Sequence, residues 1–318
     1  MSLAVVRFEQ AGHARWGVLH GDRIAVLTED YASTGDLLRH ARPALADLTP
    51  ADATLPVEDV RLLSPITADR QFVCQGINYE SHVRESGLDP ADIPFNLIFT
   101  KAPSCLSGAH DDVVRPSHVK LLDYEVELGL VIGKDITGPI DVTDENLGDW
   151  LAGVTIVNDI SARDVQLPQG QFYKGKSYRT FGPTGPVLLL LEAAEWKRWR
   201  EFEMHLAVNG ETRQKAACAE MIYSPPATLT ELSALQDFSM GDLIATGTPA
   251  GCAAVAPGKF IMFLTRHFMS EATKWKLFTK KAATYPRYLR PGDEIRTTIR
   301  TADGAIDLGE QRNRVTGN

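Results

Sequence analysis

Residues 121–132 read Leu-Leu-Asp-Tyr-Glu-Val-Glu-Leu-Gly-Leu-Val-Ile, an apolar run that carries two glutamates, Glu125 and Glu127. The run alternates and is rich in residues that favour β-structure, so it predicts a strand. Because side chains alternate along a strand, Glu125 and Glu127 should point to one face, about 7 Å apart, with Val126 and Leu128 on the other. The stretch therefore predicts two neighbouring carboxylates inside a mostly apolar strand.

Two carboxylates in such a place repel each other and are costly to remove from water unless a cation or a shared proton relieves them. A hard divalent metal relieves them best, because Mg²⁺ and Mn²⁺ prefer carboxylate oxygen. The alternative is a solvent-facing polar stripe on a one-sided antiparallel sheet, which is a common arrangement. The strand alone leaves both interpretations open.

The composition is typical of a soluble globular protein, since 44% of the 318 residues are hydrophobic and 23% are charged. The net charge of −8 argues against nucleic acid as the main partner, because phosphate binding requires a basic surface. We expect no membrane span, since no apolar stretch approaches the ~20 residues that a span requires. We also expect no signal peptide, because residues 1–8 run directly into a strand-like pattern. The scattered cysteines predict reduced thiols in a cytoplasmic protein. They are Cys74, Cys105, Cys218 and Cys252.

Residues 1–65 are predicted to form a small N-terminal β-rich domain, and residues 66–318 a larger domain. Short strands and a helix over 33–40 are expected in the first part. Strands outnumber helices in the second part, so the fold class is predicted to be α+β and strand-dominated. The strand-like runs of the chain are 5–8, 15–19, 23–27, 71–75, 97–100, 123–132, 153–157, 187–191, 203–208, 243–246 and 294–299.

A basic and aromatic stretch, residues 259–288, stands apart from the acidic whole. Residues 259–290 contain eight Lys or Arg against a single acid, Glu271, with aromatic residues between them. Apolar side chains from Ile261 to Met269 roughly fit helical spacing. We favour an inserted helix that covers the domain or contributes to a subunit contact. A helix that binds a membrane surface or a partner is the alternative.

A polar cluster from Gly76 to Glu85 follows the predicted strand 71–75. His82 and Glu85 are three residues apart, so on a helical turn they share a face and can hydrogen-bond. A carboxylate that orients an imidazole makes a general base able to activate water near neutral pH. A polar turn with an incidental His and Glu is the alternative.

Two further clusters carry charge. Asp159 follows the predicted strand 153–157 and can complete the set of oxygen ligands begun by Glu125 and Glu127. Three carboxylates suit Mg²⁺, which usually keeps its remaining positions for water and substrate. Lys176 lies in a loop fixed by Gly and Pro and offers a positive charge to an enolate or a carboxylate. A solvated lysine is the alternative.

The turn 245–251 carries Thr248, and its hydroxyl and N–H groups can hold a substrate carboxylate. It can equally be an ordinary Thr/Gly/Pro turn. Arg163 and Asp164 are adjacent in sequence, and for Asp164 we favour a structural ion pair. The chain has no nucleotide-binding glycine loop and no serine nucleophile elbow, so neither of those functions has support.

Together and in this order, these clusters resemble the fumarylacetoacetate hydrolase family. The matching stretches are 76–82, 123–134, 157–164, 176–183, 246–249 and 289–295. They span about three quarters of the chain, and residues 1–65 resemble the small N-terminal domain that many members carry. The resemblance implies a mixed β-sandwich roll in the large domain and a usually homodimeric enzyme. It also implies one Mg²⁺ or Mn²⁺ at the mouth of the roll.

By motif position, the resemblance implies that Glu125, Glu127 and Asp159 are the metal ligands. His82 and Glu85 would then be the catalytic pair that activates water, on a segment that often orders as a lid when substrate binds.

The resemblance also implies that Lys176 stabilises developing negative charge and that Thr248 contacts the substrate carboxylate. We also place Tyr79 and Arg163 among the substrate-binding residues. The sequence departs from the family pattern at Arg179, where many relatives carry an acid, and at the insertion after the threonine turn.

The family handles 2-oxo acids and β-diketo acids, so the resemblance implies hydrolysis of a C–C bond in an acylpyruvate. A fumarylpyruvate or fumarylacetoacetate relative is the expected type of substrate. Decarboxylation, tautomerisation or hydration of a 2-oxo acid is the alternative, because all of these reactions proceed through the same enolate. A binding protein with a decayed site is a further possibility, against which the intact set of acidic and basic residues argues.

Overall fold

The structure is a computed structural model, and it describes residues 2–85, 87, 89–254 and 271–317. Strands dominate the described part, so the predicted α+β class is confirmed. The α-helices are Thr34–His40, Arg42–Asp47, Glu80–Glu85, Arg163–Gln169, Phe172–Lys176, Ala193–Trp196, Pro225–Leu235 and Glu271–Ala282. Short 3-10 turns lie at Val57–Asp59, Pro90–Asp92, Pro103–Cys105, Leu147–Asp149, Trp199–Glu201 and Cys218–Glu220.

The larger sheet has eleven strands among the described residues, and most neighbours in it are antiparallel. In spatial order, ten of them are Ala53–Pro56, Arg23–Val26, His13–His20, Leu3–Gln10, Leu188–Leu190, Leu151–Asn158, Val126–Ile132, Leu243–Ala245, Phe72–Gly76 and Leu97–Thr100. The remaining strand, Arg61–Leu63, pairs with Leu3–Gln10. Leu243–Ala245 and Phe72–Gly76 run parallel, so the sheet is mixed.

A smaller sheet covers the middle of the larger one. Its five strands, in spatial order, are Glu211–Ala217, Phe202–Val208, Glu294–Thr301, Asp307–Gly317 and Val113–Arg115. Val126–Ile132 contacts Phe202–Val208, and Leu151–Asn158 contacts Glu294–Thr301, so the core lies between the two sheets. Two short pairs complete the strands: Leu122–Asp123 with Ser161–Ala162, and Leu106–Ser107 with Gly182–Pro183.

The central strand differs from its prediction. The expected strand 123–132 is broken into Leu122–Asp123 and Val126–Ile132. The break occurs because the Glu125 N–H donates to the side-chain oxygen of Asn158, 3.0 Å away, in place of a backbone carbonyl. All seven residues of Val126–Ile132 are buried, so the interpretation of a solvent-facing polar stripe is wrong.

The N-terminal unit joins the larger sheet directly. Strand Leu3–Gln10 pairs with Leu188–Leu190, with Leu3 opposite Leu190. The predicted helix begins at Thr34, and the preceding serine caps it. The Thr34 hydroxyl, fully buried, donates to the carbonyl oxygen of Pro65 at 2.8 Å. Strands from both sides of the predicted division at residue 65 therefore belong to one continuous sheet. That the two parts are separate folding units remains a prediction.

Part of the insertion is described. The predicted helix over 261–269 lies outside the described residues, as do all of residues 255–270. The chain then forms the helix Glu271–Ala282, from which Phe278 and Ala282 pack on the core. The role of the insertion as a cover of the domain or as a subunit contact remains a prediction. Among the described residues, no helix combines the length and apolar character needed to cross a membrane.

Candidate active site

Three predicted ligands meet at the end of the central strand. Val126 is paired with Asn158 in the neighbouring strand, so the next residues outward, Glu125 and Asp159, lie side by side. The Asp159 N–H donates to the carbonyl oxygen of Glu125 at 2.8 Å. Oxygens from Glu125, Glu127 and Asp159 all lie within 4.8 Å of one another. These side chains belong to residues that are 5%, 1% and 0% exposed, so the cluster is withdrawn from water.

Three basic side chains neutralise much of this cluster. The Lys176 ammonium lies 2.6 Å from Oε2 of Glu125 and also pairs with Asp159. The Lys101 ammonium lies 2.5 Å from the other oxygen of Asp159. The Arg163 guanidinium pairs with Oε1 of Glu125. Lys176 and Arg163, which we expected to contact substrate, are therefore first of all partners of carboxylates.

The carboxylates differ in their electrostatic surroundings. Burial alone would raise the pKa of Glu125, but Arg163 and Lys176 lower it to about 2. Burial raises the pKa of Glu127 well above its usual value, and the charges of Asp159 and Glu125 raise it further. Among the described residues no ion pair reaches Glu127. It is therefore the carboxylate that a bound cation would relieve most.

The donor set fits a divalent metal ion. All three ligands offer carboxylate oxygen, which Mg²⁺ and Mn²⁺ both prefer, so the donors do not distinguish the two ions. With all four carboxylates ionised, as metal ligation requires, the three ligands and Asp123 face three cations, Lys101, Arg163 and Lys176, which leaves one net negative charge. A divalent ion would turn this into one positive charge, which suits an anionic substrate.

A pocket opens above this cluster. It holds about 340 Å³ of space between the atoms, open solvent at its mouth included. Phe99 and Phe172 form part of its wall and meet edge to face, with ring centroids 5.0 Å apart. The predicted site residues that line it are His82, Glu125, Glu127, Arg163, Lys176 and Thr248.

The His82–Glu85 pair lies on the helix Glu80–Glu85 beside this pocket. His82 lines the pocket, and its Nδ1 is 3.8 Å from Oε2 of Glu85. This distance is longer than a hydrogen bond, although it is within the range of an ion pair. Burial raises the pKa of Glu85, but His82 and the N–H of Gly251 lower it below its usual value. The geometry therefore keeps an ionised carboxylate next to the imidazole.

The threonine turn is attached to the acidic strand. The Thr248 hydroxyl donates to the carbonyl oxygen of Val126 at 2.9 Å and accepts from Nε2 of Gln214 at 2.9 Å. The N–H of Gly247, a residue with φ of +84°, donates to Oε2 of Glu127 at 3.0 Å. The turn therefore positions Glu127. Thr248 lines the pocket, and its contact with a substrate carboxylate remains a prediction.

Tyr79 does not lie where its predicted substrate-binding role requires. Its side chain is fully buried, and its hydroxyl faces the sulfur atoms of Met204 and Cys218, each 3.7 Å away. The packing of the smaller sheet and the segment that follows it places the ring in the core. We therefore correct this prediction and regard Tyr79 as a structural residue.

Arg163 and Asp164 do not form the ion pair that their adjacency suggested. Asp164 accepts the N–H of Lys120 at 2.7 Å. Arg163 instead donates from Nε to Asp123 at 2.8 Å and from a terminal nitrogen to Gln166 at 2.9 Å. These contacts fix the guanidinium plane in the pocket wall.

Lys101 belongs to the site although no sequence pattern marked it. Its side chain is fully buried, and its ammonium contacts Asp159 and the carbonyl oxygen of Phe181, the latter at 2.6 Å. Burial alone would lower the pKa of Lys101, but Asp159 raises it above its usual value. The available signal was a lysine directly after the predicted strand 97–100, because a lysine in a buried position needs a partner.

We expect Lys101→Met to destabilise the metal-free protein by about 3–5 kcal/mol, because removal of one partner leaves the buried Asp159 carboxylate partly uncompensated. Chemical denaturation in the presence of EDTA measures this. The exposed Lys197→Met should change the free energy of unfolding by no more than about 0.5 kcal/mol. Equal stability of the two variants would mean that Lys176 alone compensates Asp159.

Comparison with known proteins agrees with this site. The fumarylacetoacetate (FAA) hydrolase C-terminal family matches residues 71–316, and the Rv2993c-like N-terminal family matches residues 4–65. The chain therefore belongs to the fumarylacetoacetate hydrolase family, as the ordered motifs predicted.

Similar proteins within this family include several kinds of enzyme. Oxaloacetate tautomerase YisK of Bacillus subtilis (strain 168) is 37% identical over 248 residues, which cover 76% of this chain and 71% of YisK. The structure of fumarylacetoacetate hydrolase from Exiguobacterium antarcticum has a TM-score of 0.74 and 32% identity, covering 99% of this chain and 100% of that one. Maleylpyruvate hydrolase from Sphingobium sp. SYK-6, in complex with manganese(II) and pyruvate, has a TM-score of 0.71 and 26% identity, covering 99% of each chain.

Proposed function

We propose that this protein is a divalent-metal-dependent enzyme that hydrolyses a C–C bond in a short acylpyruvate. The observation that carries the proposal is the proximity of His82, with Glu85 beside it, to the buried carboxylates of the same pocket. Hydrolysis needs both an activated water and a stabilised enolate, and these residues offer one of each. The similar maleylpyruvate hydrolase, with its manganese(II) and pyruvate, supports the reaction class.

In this mechanism Glu125, Glu127 and Asp159 would hold Mg²⁺ or Mn²⁺, which would supply Lewis-acid chemistry to the pocket. Glu85 orients His82, which removes a proton from a water in the pocket, and the water oxygen attacks the distal carbonyl carbon. The adjacent C–C bond then breaks, and its electron pair leaves with the 2-oxo fragment. Lys176 stabilises the negative charge on that fragment, which takes up a proton and leaves as a 2-oxo acid.

A second candidate is keto–enol tautomerisation of a small 2-oxo acid such as oxaloacetate. The similarity to an oxaloacetate tautomerase at 37% identity favours it. In this case His82 would move a proton at the carbon next to the 2-oxo group, while Lys176 and Arg163 hold the negative charge. Decarboxylation or hydration of a 2-oxo acid would use the same residues.

Product analysis separates these reactions. With Mg²⁺ or Mn²⁺, a short acylpyruvate should lose its enol absorbance and yield pyruvate and a second acid, and EDTA should stop the reaction. Interconversion of oxaloacetate enol and keto forms at unchanged mass, without cleavage of acylpyruvates, would favour the tautomerase instead. Release of CO₂ would indicate decarboxylation. Tight metal binding without turnover of any 2-oxo acid would contradict both candidates.

The proposal also includes a homodimer in the cytoplasm, with a small-molecule 2-oxo or diketo acid as substrate and no nucleic acid partner. Sedimentation equilibrium would test the dimer.

A further inference from the structure

One residue, Gly251, connects the proposed water-activating pair to the insertion. Its N–H donates to Oε2 of Glu85 at 2.9 Å. Its carbonyl oxygen accepts from the Arg287 guanidinium at 2.8 Å and from the Tyr124 hydroxyl at 3.2 Å. Glu85 in turn lies 3.8 Å from Nδ1 of His82. A continuous set of contacts therefore runs from Arg287 to the imidazole.

Only glycine fits the backbone at position 251. Its φ is +108°, in the region that favours glycine, and a Cβ there would lie 2.0 Å from the carbonyl oxygen of Arg213. Because its N–H and its carbonyl are both engaged, the orientation of this residue decides where the Glu85 carboxylate is held. A group that fixes the carbonyl of Gly251 therefore also fixes Glu85.

Arg287 comes from the C-terminal end of the insertion 259–288, after the helix Glu271–Ala282. The resemblance to the family marked this stretch as a departure from the family pattern, so no role for it follows from the family. The Arg287 charge is close enough to Glu85 to act on it directly: burial raises the pKa of Glu85, whereas His82, the N–H of Gly251 and Arg287 lower it.

We infer that Arg287 is a positioning residue for the His82–Glu85 pair and acts through the backbone of Gly251. Through Arg287, the insertion thereby contributes to the position of this pair. The effect of Arg287 on catalysis rests on the proposed function, because the position of the His82–Glu85 pair affects the rate only if the pair activates water or moves a proton. Tyr124 holds the same carbonyl at a longer distance, so the Arg287 contact is the stronger of the two.

Arg287→Met should lower kcat roughly 10- to 100-fold, because small misplacement of a catalytic group has effects of this size. KM should change much less, since the residues other than His82 that line the pocket stay in place. Arg287→Lys, which keeps the charge, should recover most of the loss. Arg290→Met removes an exposed arginine of the same segment and should behave like the wild type.

The pH profile gives a signature that a merely structural role would not produce. Among the described residues, the titratable groups that act on Glu85 are His82, Arg287 and the buried thiol of Cys252. Loss of the Arg287 cation raises the pKa of Glu85, and Glu85 must be ionised to orient His82. The acid limb of kcat should therefore move to higher pH in Arg287→Met and stay unchanged in Arg290→Met.

Hydrogen exchange of the metal-free protein tests the contact without any turnover. Arg287→Met should speed exchange at the Gly251 amide and in the helix Glu80–Glu85, and Arg290→Met should not. If no variant, including the wild type, turns over a 2-oxo acid while exchange responds, the proposed function fails but the connection stands. Unchanged exchange overturns the inference, and so does unchanged kcat in an active enzyme with faster exchange.

Discussion

Glu127→Ala is expected to abolish metal-dependent turnover and to weaken Mn²⁺ binding by more than roughly 100-fold. Loss of a residue that only hydrogen-bonds to a metal ligand already weakens metal binding by about 10- to 100-fold, and loss of a ligand should cost more. Among the described residues, no basic side chain forms an ion pair with Glu127. Its negative charge is therefore the least compensated of the three, and it should contribute most to cation binding. The two remaining carboxylates, Glu125 and Asp159, are already paired with basic side chains. Titration calorimetry or the electron paramagnetic resonance of Mn²⁺ measures the affinity.

The matched control is Glu58→Ala, which removes an exposed carboxylate far from the pocket wall and should leave Mn²⁺ affinity unchanged. The isosteric Glu127→Gln separates charge from shape, since it retains an oxygen that can accept the N–H of Gly247. Glu127→Gln should also lose metal binding. Its unfolding midpoint in denaturant should be equal to that of Glu127→Ala or higher. A folded Glu127→Ala with wild-type affinity for Mn²⁺ would contradict the metal site.

His82→Ala is expected to lower kcat by about 10²- to 10⁴-fold, which is the usual contribution of general acid–base catalysis. Mn²⁺ affinity should change little, because His82 lies in the wall of the pocket and does not belong to the cluster of three carboxylates that would bind the metal. Steady-state kinetics and a metal titration on the same preparation measure the two quantities. The prediction applies to hydrolysis and to tautomerisation alike, since both need a proton moved.

The exposed His118→Ala serves as its control and should retain wild-type kcat. Normal turnover by His82→Ala would remove the pair from the mechanism, and the inference about Arg287 with it. A loss of metal binding equal to the loss of kcat would assign His82 to the metal instead.

The sequence predicted those parts of the site whose residues are close together in the chain. The alternation around Glu125 and Glu127 placed both carboxylates on one side of a strand, and the spacing of His82 and Glu85 placed them on one helical turn. The break before Val126 was not predictable in this way. It depends on the side chain of Asn158, 33 positions from the residue that it contacts.

The pairing of charges was the least predictable part. Lys101 reaches Asp159 across 58 positions, and Arg163 reaches Asp123 across 40. No local spacing reveals such contacts, because they exist only when strands from distant parts of the chain are adjacent. Tyr79 was misassigned for the same reason, since tertiary packing decides which way a side chain at the start of a helix points.

The pairing of Leu3–Gln10 with Leu188–Leu190 has a consequence for self-association. Without the N-terminal strand, the backbone N–H and C=O groups on one side of Leu188–Leu190 would lose their partner, and the side chains of that strand are all leucine. An unpaired apolar edge is a template on which another copy can add a strand, which leads to aggregation. The N-terminal unit therefore protects the sheet that carries the acidic cluster from this kind of strand addition, because it covers the edge of Leu188–Leu190.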